Sequence, residues 1–379
     1  MQITAKIKIM PSSAQETLIE NTLCEYIALV NAIVEYQNSL DNILRMSSAS
    51  VHAPLPSALR NQCIRDAKSI YSRFLKNVKA ADKWNSKHPH EESRVASLPT
   101  LKRPVAIWNN QNYHIGESSI TFPVYDNGRC KQITVAAIIP AETGEILRAA
   151  RLGTLRITRK SHKLIAQIAY DVPCKAFVNN GNTMGVDLGL KCPAVCVTND
   201  ADVLFAGNGR RNKYLRRHYK AKRKELGKAK KSKALITYSD KEQRIMRDTD
   251  HKISRQIVDF AEQHNISVLR MEKLDNIRKT AKTSRKNSHN LHTWSFYRLA
   301  QYIEYKAHMA GIAVEYVEAA YTSQICPVCG AKNHAKDRDY VCKCGFRQHR
   351  DLVGARNIIV APVAGGNSPS AQGAIRSAL

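Results

Sequence analysis

Negative charge is what this sequence has least of: 32 Asp and Glu stand against 59 Lys and Arg, a formal net charge of +27 over 379 residues. So large an excess repels itself in a compact state unless a polyanion neutralises it. Nucleic acid is the usual partner of such a surface, although a ribosome or an anionic membrane would also answer the charge taken alone. Long apolar runs are missing too. No stretch approaches the roughly 18 apolar residues that span a bilayer. The opening MQITAKIKIM alternates apolar and polar residues instead of forming the continuous apolar core of a signal peptide. The expected location is therefore cytoplasmic and nucleoid-associated. No repeat occurs at the periods of solenoids. Nor is there a spaced disulfide framework: Cys24, Cys63, Cys130, Cys174, Cys192 and Cys196 are scattered, while the other four cysteines crowd between Cys326 and Cys344. In a reducing compartment that clustering argues for a metal.

What is present suffices for a folded chain. Hydrophobic residues make up 43%, an ordinary globular share, and the length allows about two or three domains. Residues 2–9 read as a strand, with Ile3, Ala5, Ile7 and Ile9 on one face and Gln2, Thr4, Lys6 and Lys8 on the other. Pro11 closes it, and Ser12 and Ser13 offer helix N-caps. To about residue 90 the pattern is mainly helical, with Leu18, Leu23, Ile27, Val30, Ile33 and Val34 as one apolar stripe. From about 98 to 178 it becomes strand-like, with a hairpin signal at Asp126, Asn127 and Gly128. Together with the first strand, this region predicts a small β-barrel split by a helical insertion. The run Asn179–Asn182 is the expected boundary. Beyond it, strands alternate with helices in the manner of an α/β domain. From about 361 the chain turns Gly/Ser/Pro-rich and is expected to be disordered.

Cys326-Pro-Val-Cys329-Gly and, after a spacer of twelve residues, Cys342-Lys-Cys344-Gly form two short pairs. Such pairs can set four thiolates tetrahedrally around one Zn²⁺. Gly330 and Gly345 follow them, where a tight knuckle needs a residue without Cβ. The second pair is Cys-x-Cys, and His334 and His349 lie near enough in sequence to substitute for a sulfur. A site with all four positions filled by protein is structural.

Three acids stand in unusual settings. Asp187 lies within the apolar GVDLGL, Glu272 ends the hydrophobic run ISVLRME, and Asp351 follows the cysteines and opens DLVGARNII. A carboxylate in an apolar strand must be paired or hold a cation. Singly, each has a plain reading: a turn acid, a strand end, a helix N-cap. As a set, three carboxylates can hold two Mg²⁺ ions about 3.5–4 Å apart, the arrangement that hydrolyses phosphodiesters, because Mg²⁺ prefers hard oxygen ligands.

GVDLGL, VLRMEKL, YTSQICPVCG, CKCGF and RDLVGARNI occur in the order found in the transposon-encoded TnpB family, which is similar to the ancestors of type V CRISPR effectors. The resemblance covers essentially residues 1–360. It implies a RuvC-like nuclease on an RNase H-type fold, guided by an RNA from the element's end and cutting double-stranded DNA. It carries over Asp187, Glu272 and Asp351 as catalytic, magnesium-holding acids, and Cys326, Cys329, Cys342 and Cys344 as a zinc ribbon. The multidomain α+β organisation it implies has a wedge-like β-barrel at 1–10 and 98–178 and a helical recognition domain at 11–97. The nuclease domain would occupy 181–320 and 346–360, the ribbon 321–345 and the tail 361–379.

From Arg210 to Lys233 there are thirteen basic residues and one acid, Glu225. Arg210, Arg211, Lys213, Arg216, Arg217, Lys220, Lys222, Arg223 and Lys224 are read as a phosphate-contacting helix, against a merely solvated face. Tyr214 and Tyr219, interleaved among them, are suited either to stacking on bases or to packing on the core. Residues 277–291 lack apolar periodicity and read as a lid near Glu272. The leading expectation is an RNA-guided DNA endonuclease that also reads a short flanking motif. The alternatives are a non-cleaving RNA-guided repressor and a guide-independent, structure-specific nuclease.

Overall fold

The structure, a computed structural model, describes residues 1–43, 45–160, 162–274, 290–318, 321–335 and 337–364. It divides into two compact units, Met1–Val172 and Pro173–Leu379. The division lies ahead of the Asn179–Asn182 run expected as a boundary. That run is tied into the second unit, because Asn182 O accepts from the backbone of Ser267 (3.0 Å) and Val268 (3.2 Å).

In the first unit, β1 (Gln2–Met10) buries Ala5, Ile7 and Ile9. Ser12 caps α1 (Ser13–Ser39) through a reciprocal box: its Oγ accepts from Gln15 N at 3.3 Å, and Gln15 Oε1 accepts from Ser12 N at 3.0 Å. The buried face of α1 runs Ile19, Leu23, Tyr26, Val30, Ile33 and Val34. Leu18 and Ile27, expected on that stripe, are only partly buried. Their neighbours Ile19 and Tyr26 fall in step with the 3.6-residue period and take their place. By length and composition alone α1 could cross a membrane, contrary to the reading that no segment approaches that limit; its apolar face is instead part of this unit's core. Helix α2 (Ser57–Lys87) packs on it through Leu59, Cys63 and Ala67, and Tyr26 donates its hydroxyl to Asp66 Oδ2 at 2.6 Å.

The strands β2 (Val105–Trp108), β3 (His114–Ile115), β4 (Ser119–Asp126), β5 (Arg129–Ile138), β6 (Leu152–Lys160) and β7 (Lys163–Asp171) join β1 in one antiparallel sheet of order β2-β6-β7-β1-β5-β4-β3. The hairpin turn at Asn127 (φ 44°) and Gly128 (φ 85°) has both residues left-handed, as a two-residue turn matched to strand twist requires. A short helix, α3 (Ala141–Ala149), interrupts the region read as strands only. β2 and β4 are five places apart in the order, about 24 Å in a flat sheet. Yet Trp108 Nε1 donates to Pro123 O at 2.9 Å, and the rings of Trp108 and Phe122 lie 5.1 Å apart. The sheet is therefore curled.

The second unit is built on β8 (Thr183–Asp187), β9 (Ala194–Thr198), β10 (Val203–Ala206), β11 (Val268–Glu272) and β12 (Ala313–Val317), in the order β10-β9-β8-β11-β12. β8, β11 and β12 run parallel, and β9 pairs antiparallel with both β8 and β10. Helices α4 (Gly209–Lys228) and α5 (Ser232–Gln263) lie between β10 and β11, α6 (Phe296–Met309) precedes β12, and α7 (Arg350–Val360) follows the hairpin of β13 (Asp339–Val341) and β14 (Arg347–His349). Period-two alternation sorts the two faces. Met184, Val186, Ala194, Cys196, Leu269 and Met271 pack with α5 and α6, whereas Val195 and Val197 pack with Ala355 of α7. Residues 361–364, expected in the disordered tail, lie along β12: Ala364 N donates to Tyr316 O at 2.8 Å, and Val363 bridges Val317. The rest of that tail, and all but the last two residues of the expected lid, fall outside the described residues.

Candidate active site

The alternation that buries Met184 and Val186 turns Gly185 and Asp187 towards α7. Gly185 is there because the helix leaves no room: a Cβ would stand 2.0 Å from Ala355 O. Next to β8, the same alternation on β11 turns Arg270 and Glu272 to this side. Met271 pairs with Val186 in parallel register, so Asp187 and Glu272 end neighbouring strands. Asp351, in the first turn of α7, completes the group. It is not the N-cap; His349 is, with Nδ1 accepting from Asp351 N at 3.3 Å.

Burial raises Asp187 well above the usual carboxylate range, and the negative charges of Glu272 and Asp351 push it further, against Arg350 and Arg338. Glu272 is also raised by burial, although Thr322 donates its hydroxyl to Oε1. Arg338 pairs with Asp351, which is buried. Three acids so placed repel one another unless a cation or protons intervene. Hard carboxylate oxygens suit Mg²⁺, and a proton on Asp187 relieves the same strain; the ligand atoms of the three acids are not all within 4.8 Å of one another.

Several residues that hold this group escape a reading of isolated acids. Gly354, one turn along α7, faces Asp187: a Cβ would lie 2.9 Å from its Oδ2. Buried Asn357, one turn further, donates to Thr322 O (2.6 Å) and Ile325 O (2.7 Å). It thereby fixes the segment that delivers the Thr322 hydroxyl to Glu272 and leads directly into Cys326. A glycine in mid-helix and a polar residue at a buried helical position were the available signals.

Among the described residues, one set of three or more His, Cys, Asp or Glu has ligand atoms all within 4.8 Å of one another: Cys326, Cys329, Cys342 and Cys344. The sulfurs of Cys326 and Cys344 are 3.7 Å apart, and those of Cys329 and Cys342 are 3.5 Å apart. Four sulfurs at 2.3 Å from a tetrahedral Zn²⁺ would be about 3.8 Å apart, so the cluster fits such an ion. Gly330 (φ 71°) and Gly345 (φ 89°) take the left-handed conformations expected after the pairs. Neither His334 nor His349 joins the set; the ring of His349 lies edge-on to Phe205 at 5.5 Å.

The nine basic residues read as phosphate-contacting divide. Arg223 pairs with Glu242 of α5, and Arg216 is partly buried facing Glu242 and Asp250, with its pKa lowered by burial. Lys222 pairs with Glu225 at 2.9 Å. Arg210, Arg211, Lys213, Arg217, Lys220 and Lys224 are exposed. Tyr219 is buried near Tyr238, while Tyr214 is exposed and stacks on His218.

A curled antiparallel sheet with two long helices, followed by an α/β unit carrying strand-end acids and a four-cysteine cluster, is a multidomain α+β architecture of the kind seen in Cas12 effectors. The Cas12f1-like TNB domain model matches residues 296–358. The CRISPR-associated endodeoxyribonuclease Cas12f1 of Sulfoacidibacillus thermotolerans is 24% identical over 364 residues, covering 86% of this chain and 84% of that relative. A TnpB-like protein of Methanocaldococcus jannaschii is 36% identical over 149 residues, 38% of this chain and 53% of that protein. In fold, the chain is similar to Cas12f1 in its complex with sgRNA and target DNA (TM-score 0.59, 16% identity, 94% of this chain and 98% of that one). It is also similar to CasPhi-2 bound to crRNA (TM-score 0.55, 12% identity, 94% and 97%). Together these likenesses support a TnpB-family, type V effector-like protein.

Proposed function

We propose that the protein is an RNA-guided DNA endonuclease. Guide RNA and double-stranded DNA would be its partners, acting together in the cytoplasm at the nucleoid. The observation that carries this reading is the convergence of Asp187, Glu272 and Asp351, from two adjacent parallel strand ends and one helix start, with Asp187 raised by burial and further by the other two charges. The strand order β10-β9-β8-β11-β12 supports a RuvC-like, RNase H-type nuclease. The curled sheet supports a barrel-like wedge, and the net charge of +27 supports a polyanionic partner. Target choice would rest on guide pairing plus a short flanking motif read by the protein.

Asp187, Glu272 and Asp351 would hold two Mg²⁺ ions, which when bound activate a water and stabilise the leaving oxygen of the phosphodiester. Thr322 holds the Glu272 carboxylate in place, and Gly354 leaves Asp187 its room. Cys326, Cys329, Cys342 and Cys344 would hold one structural Zn²⁺ as a ribbon.

The test is cleavage of guide-matched DNA by Asp187→Ala, Glu272→Ala and Asp351→Ala, with binding measured in parallel. Each variant is expected to lose cutting and keep binding, because affinity comes from base pairing and basic contacts. Groups that act as a unit give non-additive losses, so a double variant should be scarcely worse than a single one. Ca²⁺, with its looser coordination, should support binding without cutting. Wild-type cutting by Asp187→Ala would refute the assignment. Binding without cutting by the native chain would make it a guided repressor instead.

A further inference from the structure

A cleft of about 400 Å³ opens beside the carboxylates on the second unit, and Glu272 is part of its wall. Leu188, the residue after Asp187, Leu274, two residues after Glu272, and Phe296 and Tyr297, at the start of α6, line it, and Gln301 and Glu304 add polar groups. Tyr297 is 62% exposed, and its hydroxyl accepts from Gln301 Nε2 at 3.0 Å.

Aliphatic and aromatic walls with a few convergent polar groups suit a flat ring carrying hydrogen-bonding edges. The connection to Glu272 says what the ring is attached to. A ligand held at the carboxylates through its phosphate places its own ring one sugar away, beside that phosphate. A base inside a duplex is stacked and paired, so only a base free of its partner can turn into such a cleft.

We propose that this cleft is a nucleobase subsite: it receives the base of an unpaired deoxynucleotide next to the scissile phosphate, and Tyr297 stacks on it. The subsite positions the strand across Asp187 and Glu272, and it tolerates any base because every base has a π-face. The inference rests on the nuclease reading. It adds that the site grips a base as well as a phosphate.

The test uses the full chain loaded with guide RNA. Target DNAs carry 2-aminopurine at successive positions around the cut, and fluorescence is read on the non-cutting Asp187→Ala complex. At one or two positions the signal should fall about two-fold or more on binding. Adding Tyr297→Ala should restore it, and adding Tyr297→Phe should not. In the cutting protein, an abasic site at the same position should slow single-turnover cleavage about ten-fold or more, as should Tyr297→Ala on intact DNA. The two changes together should cost no more than either alone. If no position responds to Tyr297→Ala, or the two cleavage losses multiply, the subsite is refuted. Failure of the native complex to cut unmodified DNA would refute the nuclease reading instead, and the fluorescence would still decide whether a base enters the cleft.

Discussion

Gly354 faces Asp187 across the gap between α7 and β8, so closely that a Cβ at 354 would stand 2.9 Å from Oδ2 and 3.3 Å from Cγ of the carboxylate. The carboxylate of Asp187 is free to take its position because that side chain is missing. Gly354→Ala should therefore displace Asp187 while improving the helix, where alanine is better than glycine by about 1 kcal/mol. The expected outcome is a ten-fold or greater loss of cleavage with thermal stability held or slightly raised. Single-turnover cleavage and a melting curve on the same preparation check it. A large drop in melting temperature would mean the residue serves packing alone.

Much of this arrangement was legible in the sequence because its signals are local. The alternation in β1, the Ser12 cap, the Asn127–Gly128 turn and the paired cysteines each report on a few consecutive residues. Asp187 and Glu272 stand out because charge in an apolar run is costly wherever the run goes, whereas Asp351, which opens a helical run, joins them through the set and the resemblance to TnpB. Contacts between distant segments were not legible. Nothing near Gly354 says that Asp187 lies opposite, and nothing near Arg223 says that Glu242 on the next helix takes its charge. The stripe on α1 differs from the expectation by one residue at Leu18 and Ile27, because an apolar residue stands next to Ile19 and to Tyr26 and either neighbour satisfies the period. The strand partner of residues 361–364 is invisible in a Gly/Ser/Pro-rich composition.

The raised pKa of Asp187 has a consequence for stability. A folded-state pKa above the unfolded value, about 3.9 for Asp, means that folding favours the protonated acid. That contribution is present in full below the unfolded pKa and is lost as pH rises through the folded one. In EDTA, Asp187→Asn should accordingly match the parent at acid pH and melt at a higher temperature at neutral pH, while cutting nothing. Saturating Mg²⁺ should remove the difference by stabilising the parent alone. Equal melting temperatures at neutral pH in EDTA would show that neither burial nor the neighbouring acids strain Asp187.

Asn357 joins the cysteine cluster to the carboxylates through Thr322 O and Ile325 O. Asn357→Ala leaves the buried carbonyl of Thr322 without that donor, at about 1–3 kcal/mol, frees the half-buried carbonyl of Ile325, and should lower both melting temperature and cleavage. Cys326→Ser should act at the same place by a different route. It should reduce bound zinc from one equivalent per chain and, through the Thr322 segment, reduce cleavage while guide RNA binding persists. Metal analysis of freshly purified protein checks the first half. Protein free of zinc that cuts at the full rate would separate the cluster from the active site.

Helix α4 provides the last expectation, because the structure divides its charges into two kinds. Arg210, Arg211, Lys213, Arg217, Lys220 and Lys224 face solvent, whereas Arg216 and Arg223 face the acids of α5. A phosphate neutralised by a basic side chain releases counterions, contributing about −0.9 to the slope of log affinity against log salt on duplex DNA and about −0.7 on single strands. Replacing the six exposed residues by Gln should weaken binding to all sequences alike and flatten the slope by up to about 5, with the melting temperature unchanged. Arg216→Gln with Arg223→Gln should do the opposite. The slope stays, but stability falls, because Glu242 loses its partner in a side chain only 13% exposed. Salt titrations of both variants, from about 50 to 200 mM, decide the matter. If the six-fold variant keeps the parental slope, the exposed face of α4 is solvated surface and the nucleic acid runs elsewhere.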